Sequence, residues 1–259
     1  MLVDTHVHLG DRSFDHDRSA VLERARGAGV GAVIAVGETL AEAQLNLELA
    51  ARYPNMVRPA AGLLPTILDL DQAAALANLI REQRQKLIAI GEVGLDLWKV
   101  KDPADRAVQR QIFSSLVDLS IELDLPLNVH SRAAGRPVIE LLLDRDAKRV
   151  QLHAFDGRAA KALPAVEAGF FFSVPPSVVR SIQKQKLVRH LPLSCLLVET
   201  DSPVLGPDAE SRNEPANVTV SVQAIADLKA LAVDEVAAAV TQNAVRLYGP
   251  GVLGNGLLD

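Results

Sequence analysis

The sequence predicts an α/β fold, a single (β/α)8 TIM barrel over residues 1–259, and three observations lead there. Eight short apolar runs, each of strand length, recur along the chain. Segments with helical spacing separate them, and strand–helix alternation with near-continuous apolar strands implies a parallel sheet with helices outside. Eight repeats favour closure into a barrel over an open doubly wound sheet, and 259 residues suit a barrel that folds as one unit. The composition agrees. Hydrophobic residues make up 49% but aromatics only 3%, so Ala, Val, Leu and Ile fill the layer between helices and strands.

In order along the chain, the first run is Leu2–His6, which opens without a basic segment and reads as a strand, not a signal peptide. Gly31–Val36 is the second, with Thr39 behind it as an N-cap; Val57–Gly62 is the third, with Asp69 in the same role. Leu87–Glu92 is the fourth. Pro103 then marks a helix start, and Ala104–Leu123 carries Ile112, Leu116, Leu119 and Leu123 at helical spacing. Pro126–His130, Arg149–His153, Gly169–Val174 and Cys195–Asp201 complete the eight. Ser202–Pro215, rich in Pro, Gly and charge, is expected to be a long loop, and the glycine-rich 249–259 a frayed, flexible tail.

A net charge of −5 argues against a broad basic face for nucleic acid. It leaves a nucleic-acid substrate open, because bound cations invert the potential inside an acidic pocket. The single cysteine, Cys195, rules out an intrachain disulfide, and no apolar run nears the roughly 18 residues of a membrane span. Cytoplasmic localisation, with no membrane and no obligate protein partner, is the expectation.

The informative residues are polar ones at the ends of apolar strands. The first strand ends Asp4-Thr5-His6-Val7-His8, and in an extended segment His6 and His8 point to the same side. The fourth ends in Glu92, the fifth in His130, the sixth in His153 and the eighth in Glu199-Thr200-Asp201. C-terminal strand ends form the mouth of such a barrel, so six candidate ligands from five strands converge there. Imidazole and carboxylate without thiolate suit Zn, Mn, Ni or Fe, and the carboxylates extend the choice to Mg. A lone buried histidine is usually a hydrogen-bonded core residue, and one His-x-His pair occurs by chance. Four of six histidines with two carboxylates at strand mouths are another matter, since burying them without metal is costly.

At these positions the chain resembles the TatD family of metal-dependent deoxyribonucleases, within the amidohydrolase-like barrels. The motifs are Asp4–His8, Gly91-Glu92-Val93-Gly94-Leu95-Asp96, Val129-His130-Ser131-Arg132, His153-Ala154-Phe155-Asp156-Gly157 and Glu199-Thr200-Asp201-Ser202-Pro203, followed by Arg212-Asn213-Glu214-Pro215 and Thr241-Gln242-Asn243-Ala244. The segments Asn128–Pro137, Phe170–Lys186 and Leu205–Pro215 are most similar to the branch called TatD DNase domain-containing protein 3. The resemblance implies two divalent metal ions, Zn, Mg or Mn. One would be held by His6, His8, Glu92 and Asp201, the other by Glu92, His130 and His153, with Glu92 as the bridge. It implies hydrolysis of DNA phosphodiesters by activated water, as a 3′-to-5′ exonuclease on single-stranded or frayed ends, with Glu92 and Asp201 catalytic. Asp201 would orient the water or take its proton.

Arg132 and Arg212 read equally as phosphate contacts or as halves of loop salt bridges. Trp98 reads as a base-stacking face or as rim packing. Asp4 and Glu199 are placed to orient ligand imidazoles, or in the case of Glu199 to face the helices. His16 and His190 read as a solvated residue and a helix-end residue, and Gln183–Lys186 as a polar helix face, solvated in the first reading and helping bind a nucleic-acid backbone in the second. One departure is Gly62-Leu63-Leu64-Pro65, where Leu64 stands in place of the histidine usual in the family's Gly-x-His-Pro. It leaves the six ligands intact while removing a donor near the scissile group. A metal-dependent D-aminoacyl-tRNA deacylase is therefore the alternative function, and a catalytically weak metal-binding protein a further one.

Overall fold

Parallel pairing runs from strand to strand without a crossover in the computed structural model, which describes residues 1–254. The strands are β1 (Leu2–Val7), β2 (Val30–Ala35), β3 (Val57–Ala61), β4 (Ala89–Gly94), β5 (Leu127–His130), β6 (Val150–Leu152), β7 (Phe171–Val174) and β8 (Leu196–Val198). Between and after them come α1 (Arg18–Gly27), α2 (Leu40–Arg52), α3 (Leu70–Glu82), α4 (Pro103–Leu123), α5 (Gly135–Asp144), α6 (Ala159–Glu167), α7 (Ile182–His190), α8 (Val218–Lys229) and α9 (Val233–Tyr248). The expected caps form. Thr39 Oγ1 accepts from the Glu42 amide at 3.1 Å and Asp69 from the Gln72 amide at 2.9 Å, while Asp102 caps α4 ahead of Pro103. Such a cap is worth about 1 kcal/mol.

The barrel closes between its ends by means other than a long ladder. The His8 amide donates to Ser202 O and the Asp201 amide to His6 O, both at 2.9 Å. Side chains reinforce the seam: Thr5 Oγ1 donates to Val198 O at 2.9 Å, and Asp4 accepts from the Thr200 amide at 2.8 Å and from its hydroxyl. Residues 200 and 201 therefore lie past the β8 ladder and are held by β1, while the Glu199 amide still donates to Val174 O of β7, which is why β8 ends earlier than the apolar run extends.

Two apolar clusters divide the strands. The larger packs helices against the outer strand faces. The smaller joins Val3, Ala32, Ile34, Ala60, Ala89 and Leu197 to Leu247 and Tyr248 of α9 and to Val252. One helix end touching residues from so many strands must lie at the barrel axis, so α9 plugs the floor. From there the Tyr248 hydroxyl donates to Gln151 Oε1 at 2.6 Å and accepts from Asn128 Nδ2 at 3.2 Å, which in turn donates to Thr5 O at 2.8 Å.

The tail departs from expectation. Pro250–Leu253 form a 3-10 turn with Val252 fully buried, and Arg58 Nε donates to Gly251 O at 3.0 Å. The turn packs because it completes the floor; residues 255–259 lie outside the described part. Ser202–Pro215 is a loop as expected, ending in a 3-10 turn at Pro215–Asn217. Among the described residues no helix is long and apolar enough to cross a membrane.

Tyr248→Phe leaves Gln151 Oε1 without its donor in a buried site. The expected loss is about 1–3 kcal/mol, read as a lower urea midpoint with an unchanged slope.

Candidate metal centre

The strand ends deliver all six expected side chains to one place. His6 and His8 come from the end of β1, Glu92 from β4, His130 from the last residue of β5, His153 from just past β6, and Asp201 from beyond β8. Close approach is possible because glycines line it. A Cβ on Gly62 would stand 2.3 Å from the Glu92 backbone, and one on Gly94 would stand 2.0 Å from His130 O. Asp201 itself has φ 52, a left-handed conformation that an L side chain adopts at some cost, and its amide bond to His6 O holds it there.

Glu92 organises the cluster. Its Oε2 lies 3.6 Å from His6 Nε2 and 3.5 Å from His8 Nε2, while its Oε1 lies 2.5 Å from His130 Nδ1 and 3.1 Å from His153 Nε2. On the first side Asp201 Oδ1 is 3.4 Å from His6 Nε2 and 3.2 Å from His8 Nε2, and those two nitrogens are 3.3 Å apart. Donor atoms 3.2–3.6 Å apart have the spacing that two ligands on one ion would show at bond lengths of about 2.1 Å, as for Zn–N or Zn–O. On the second side the His130 and His153 nitrogens are 3.3 Å apart across Glu92 Oε1. Groups of ligand atoms within reach of one ion include His6–His8–Glu92, Glu92–His130–His153 and His6–His153–Asp201.

Behind each imidazole stands an oxygen on its other nitrogen. Asn128 Oδ1 is 2.8 Å from His6 Nδ1, Asp96 Oδ2 is 3.2 Å from His130 Nε2, Glu199 Oε2 is 3.7 Å from His153 Nδ1 and Glu38 Oε1 is 3.8 Å from His8 Nδ1. The Asn128 and Asp96 contacts are hydrogen bonds and fix the rings and tautomers of His6 and His130, whereas the two longer contacts are electrostatic only and His153 Nδ1 is buried without a hydrogen-bond partner. Asn128, Asp96 and Glu38 were not singled out from the sequence. Asp96 offered a signal, since an Asp two residues before Trp98 can fold an Asx turn, and it does accept from the Trp98 and Lys99 amides. Asp4, by contrast, orients no imidazole: it accepts from Thr200 and from the His6 amide at 3.3 Å and serves the seam. Glu199 points inward, accepting from the Ala154 amide at 2.7 Å and from Ser173 Oγ at 2.6 Å.

A cavity of about 890 Å³ opens over the cluster. Arg132 lines it, with its guanidinium 3.8 Å from the Trp98 ring centre. Trp98 thus has one face against a cation and serves as a platform for Arg132 while remaining half exposed. Arg212 is not among the lining side chains. It pairs with Asp17 at 2.6 and 2.8 Å and lies over Phe14, a partner far away in sequence. Leu64 does line the cavity, together with Leu68, Val204 and Leu205. The Gln183–Lys186 face is not solvated as expected: Gln183 donates to Gly157 O at 2.7 Å and Lys184 Nζ to Ala154 O at 2.8 Å, leaving Lys186 exposed. His16 and His190 are exposed and stand apart from the cluster.

The acids and imidazoles of the cluster oppose one another in charge. Burial opposes charge on His8, but its bond to Asp201 and the nearby Glu92, Asp201 and Glu38 carboxylates outweigh it and raise the imidazole to about 9. His130 is likewise raised to about 9, with burial overcome by Glu92 and Asp96. Burial also opposes ionisation of Glu92, yet the charges of His153 and His130 hold it well below the usual carboxylate range, and His8 and its neighbours lower Asp201 against the same penalty.

The chain matches the model of the TatD related DNase family over residues 3–249. It is 44% identical to deoxyribonuclease TATDN3 of Homo sapiens, across 95% of this chain and 94% of that one. The 3′-5′ ssDNA/RNA exonuclease TatD of Erwinia amylovora is 32% identical, across 96% of this chain and 100% of the relative. Among solved structures, the TatD homologue YJJV from Escherichia coli superposes with a TM-score of 0.87 at 28% identity, covering 95% of this chain and 97% of that one.

Two outcomes are expected. The raised imidazoles add stability that is complete below about pH 6.5, their unfolded value, and lost as pH rises through about 9. Glu92 and Asp201 contribute in the opposite sense, losing theirs as pH falls through and below the carboxylate range. Metal-free protein is therefore most resistant to urea near pH 5–6.5 and weakens toward pH 9, whereas adding Zn or Mn at pH 7 releases protons, visible with an indicator in weak buffer. Asn128→Ala, which frees His6 Nδ1, lowers metal affinity by about 10–100-fold, measured by competition with a chromogenic chelator.

Proposed function

From the chain's membership of the TatD related DNase family, we infer that it is a metal-dependent deoxyribonuclease, trimming single-stranded or frayed ends in the 3′-to-5′ direction. The observation that carries this reading is Glu92, which turns one carboxylate oxygen to each of two imidazole pairs, with one ring of each pair held by a hydrogen bond on its other nitrogen. Two divalent cations fit this donor set, one on His6, His8, Glu92 and Asp201, the other on Glu92, His130 and His153. When bound, such ions supply a water acidic enough to attack at neutral pH and positive charge for the departing oxygen.

The chain's own residues do the rest. Asp201, ionised at neutral pH, orients the attacking water by accepting its hydrogen bond. Glu92 stays ionised between the imidazoles and keeps both halves of the site in register. Arg132, braced on Trp98, offers a planar donor pair to a substrate phosphate at the cavity wall. Arg212, tied to Asp17, anchors the loop after β8 and has no direct share in substrate binding. We place the protein in the cytoplasm, a reducing compartment with which the lone, buried thiol of Cys195 is compatible.

A second reading is supported by the apolar wall of Leu64, Leu68, Val204 and Leu205, which can receive an aminoacyl side chain. On that reading the bond hydrolysed is the ester of a D-aminoacyl-tRNA. End-labelled single-stranded DNA, given to metal-stripped protein with Mg, Mn or Zn restored in turn, separates the two. The expected result is a ladder shortening from the 3′ end, two ions per chain by elemental analysis, and a loss of at least about 100-fold in Asp201→Asn. Intact DNA beside two bound ions, with hydrolysis of D-aminoacyl-tRNA that excess single-stranded DNA does not slow, would overturn the nuclease in favour of the ester.

A further inference from the structure

Lys184 stands in the cavity wall as a cation without a counter-charge. It is the third residue of α7, whose first turn lies against the β6–α6 loop. Ser181 Oγ accepts from the Lys184 amide at 3.3 Å, and Gln183 Nε2 grips Gly157 O. The ammonium donates to Ala154 O at 2.8 Å, and Ala154 directly follows His153. Ala154 is itself fixed, with φ 42 and its amide bonded to Glu199. Lys184 pairs with no carboxylate within 4.0 Å among the described residues, although it lines the same cavity as Glu92, His130 and Asp201.

An ammonium carries three donors, and the Ala154 carbonyl takes one. Removing such a charge from water is costly unless an anion meets it. The other cavity cations are placed differently: Arg132 and Lys99 lie over the Trp98 ring, at 3.8 and 5.0 Å from its centre, and Lys101 Nζ turns back to Leu97 O at 3.2 Å. Burial pulls the Lys184 ammonium down while Glu199, Asp201 and Asp156 pull it up, so these acids favour its charged form without contacting it. A compact point charge held one residue from a candidate metal ligand suits a phosphate oxygen.

We propose that Lys184 binds a substrate phosphate flanking the scissile one, on the His153 side of the cavity, while Arg132 serves the His130 side. The assignment rests on the phosphodiesterase reading of the same site. It predicts an effect on substrate binding and not on the chemical step, because the scissile group belongs to the cluster around Glu92.

The test compares metal-loaded wild type with Lys184→Gln and Lys184→Arg, using inorganic phosphate as the binding probe and end-labelled single-stranded DNA as substrate. Lys184→Gln is expected to weaken phosphate binding about tenfold and to raise KM by a similar factor with kcat within about threefold. It should also reduce the slope of log affinity against log salt by about 0.7 for a phosphorothioate strand that is cut slowly. Lys184→Arg should restore most of both. Unchanged phosphate affinity and salt slope in Lys184→Gln overturn the proposal. A measurement on unaltered protein covers the case in which Lys184→Gln fails to fold. In ¹⁵N-lysine-labelled holoenzyme the Lys184 Nζ resonance, identified by its absence from Lys184→Arg, should shift on saturation with phosphate, and an unmoved resonance overturns the assignment. Wild type that leaves DNA uncut defeats the functional reading, whereas wild type that cuts DNA while Lys184 ignores phosphate defeats this assignment alone.

Discussion

A single carboxylate has to face two ways. Glu92 can do so only if four imidazoles approach it from two sides, and the rings of His6 and His130 are held for this by a hydrogen bond on the other nitrogen. That requirement reaches through the molecule. Asn128 satisfies His6 from β5, Asp96 satisfies His130 from the β4–α4 loop, and Glu199 stands behind His153 from beyond β8. None of these partners is free to wander, because Asn128 is shared with Thr5 and Tyr248, and Glu199 with Ala154 and Ser173. The geometry at the mouth is set by hydrogen bonds that run down the barrel axis to its floor.

This layering explains why a polar column runs through the middle of an otherwise apolar fold. Asn128, Gln151, Ser173 and Tyr248 are buried, and each costs stability unless paired. They pair chiefly with one another and with the seam residues, so the column satisfies itself while holding the cluster from below. Helix α9 supplies the last member, which ties the final helix of the fold to the first ligand of the site.

Much of this was legible in the sequence. Polar residues at the ends of apolar strands identified the six clustered side chains, since a barrel leaves little freedom about where strand ends go. Caps at Thr39 and Asp69 were local and therefore readable. What escaped were pairings between distant segments. Arg212 meets Asp17 and leaves the cavity, Lys184 folds over it instead of facing water, and residues 250–253 close the floor because Val252 finds a pocket there. Asn128 is illegible for another reason: it lies inside the run Pro126–His130, and its role depends on the His6 ring from a distant strand standing beside it.

The barrel seam has a consequence for how the molecule is made. His8 and Asp201 meet although they are 193 positions apart in the sequence, one at the first strand and the other beyond the last. During synthesis the first half of the ligand set emerges from the ribosome first and waits unpaired until the chain through Asp201 has followed. A truncated or stalled chain lacking β8 therefore has no complete centre. In such a protein, readiness to act is itself a record that translation has passed the eighth strand.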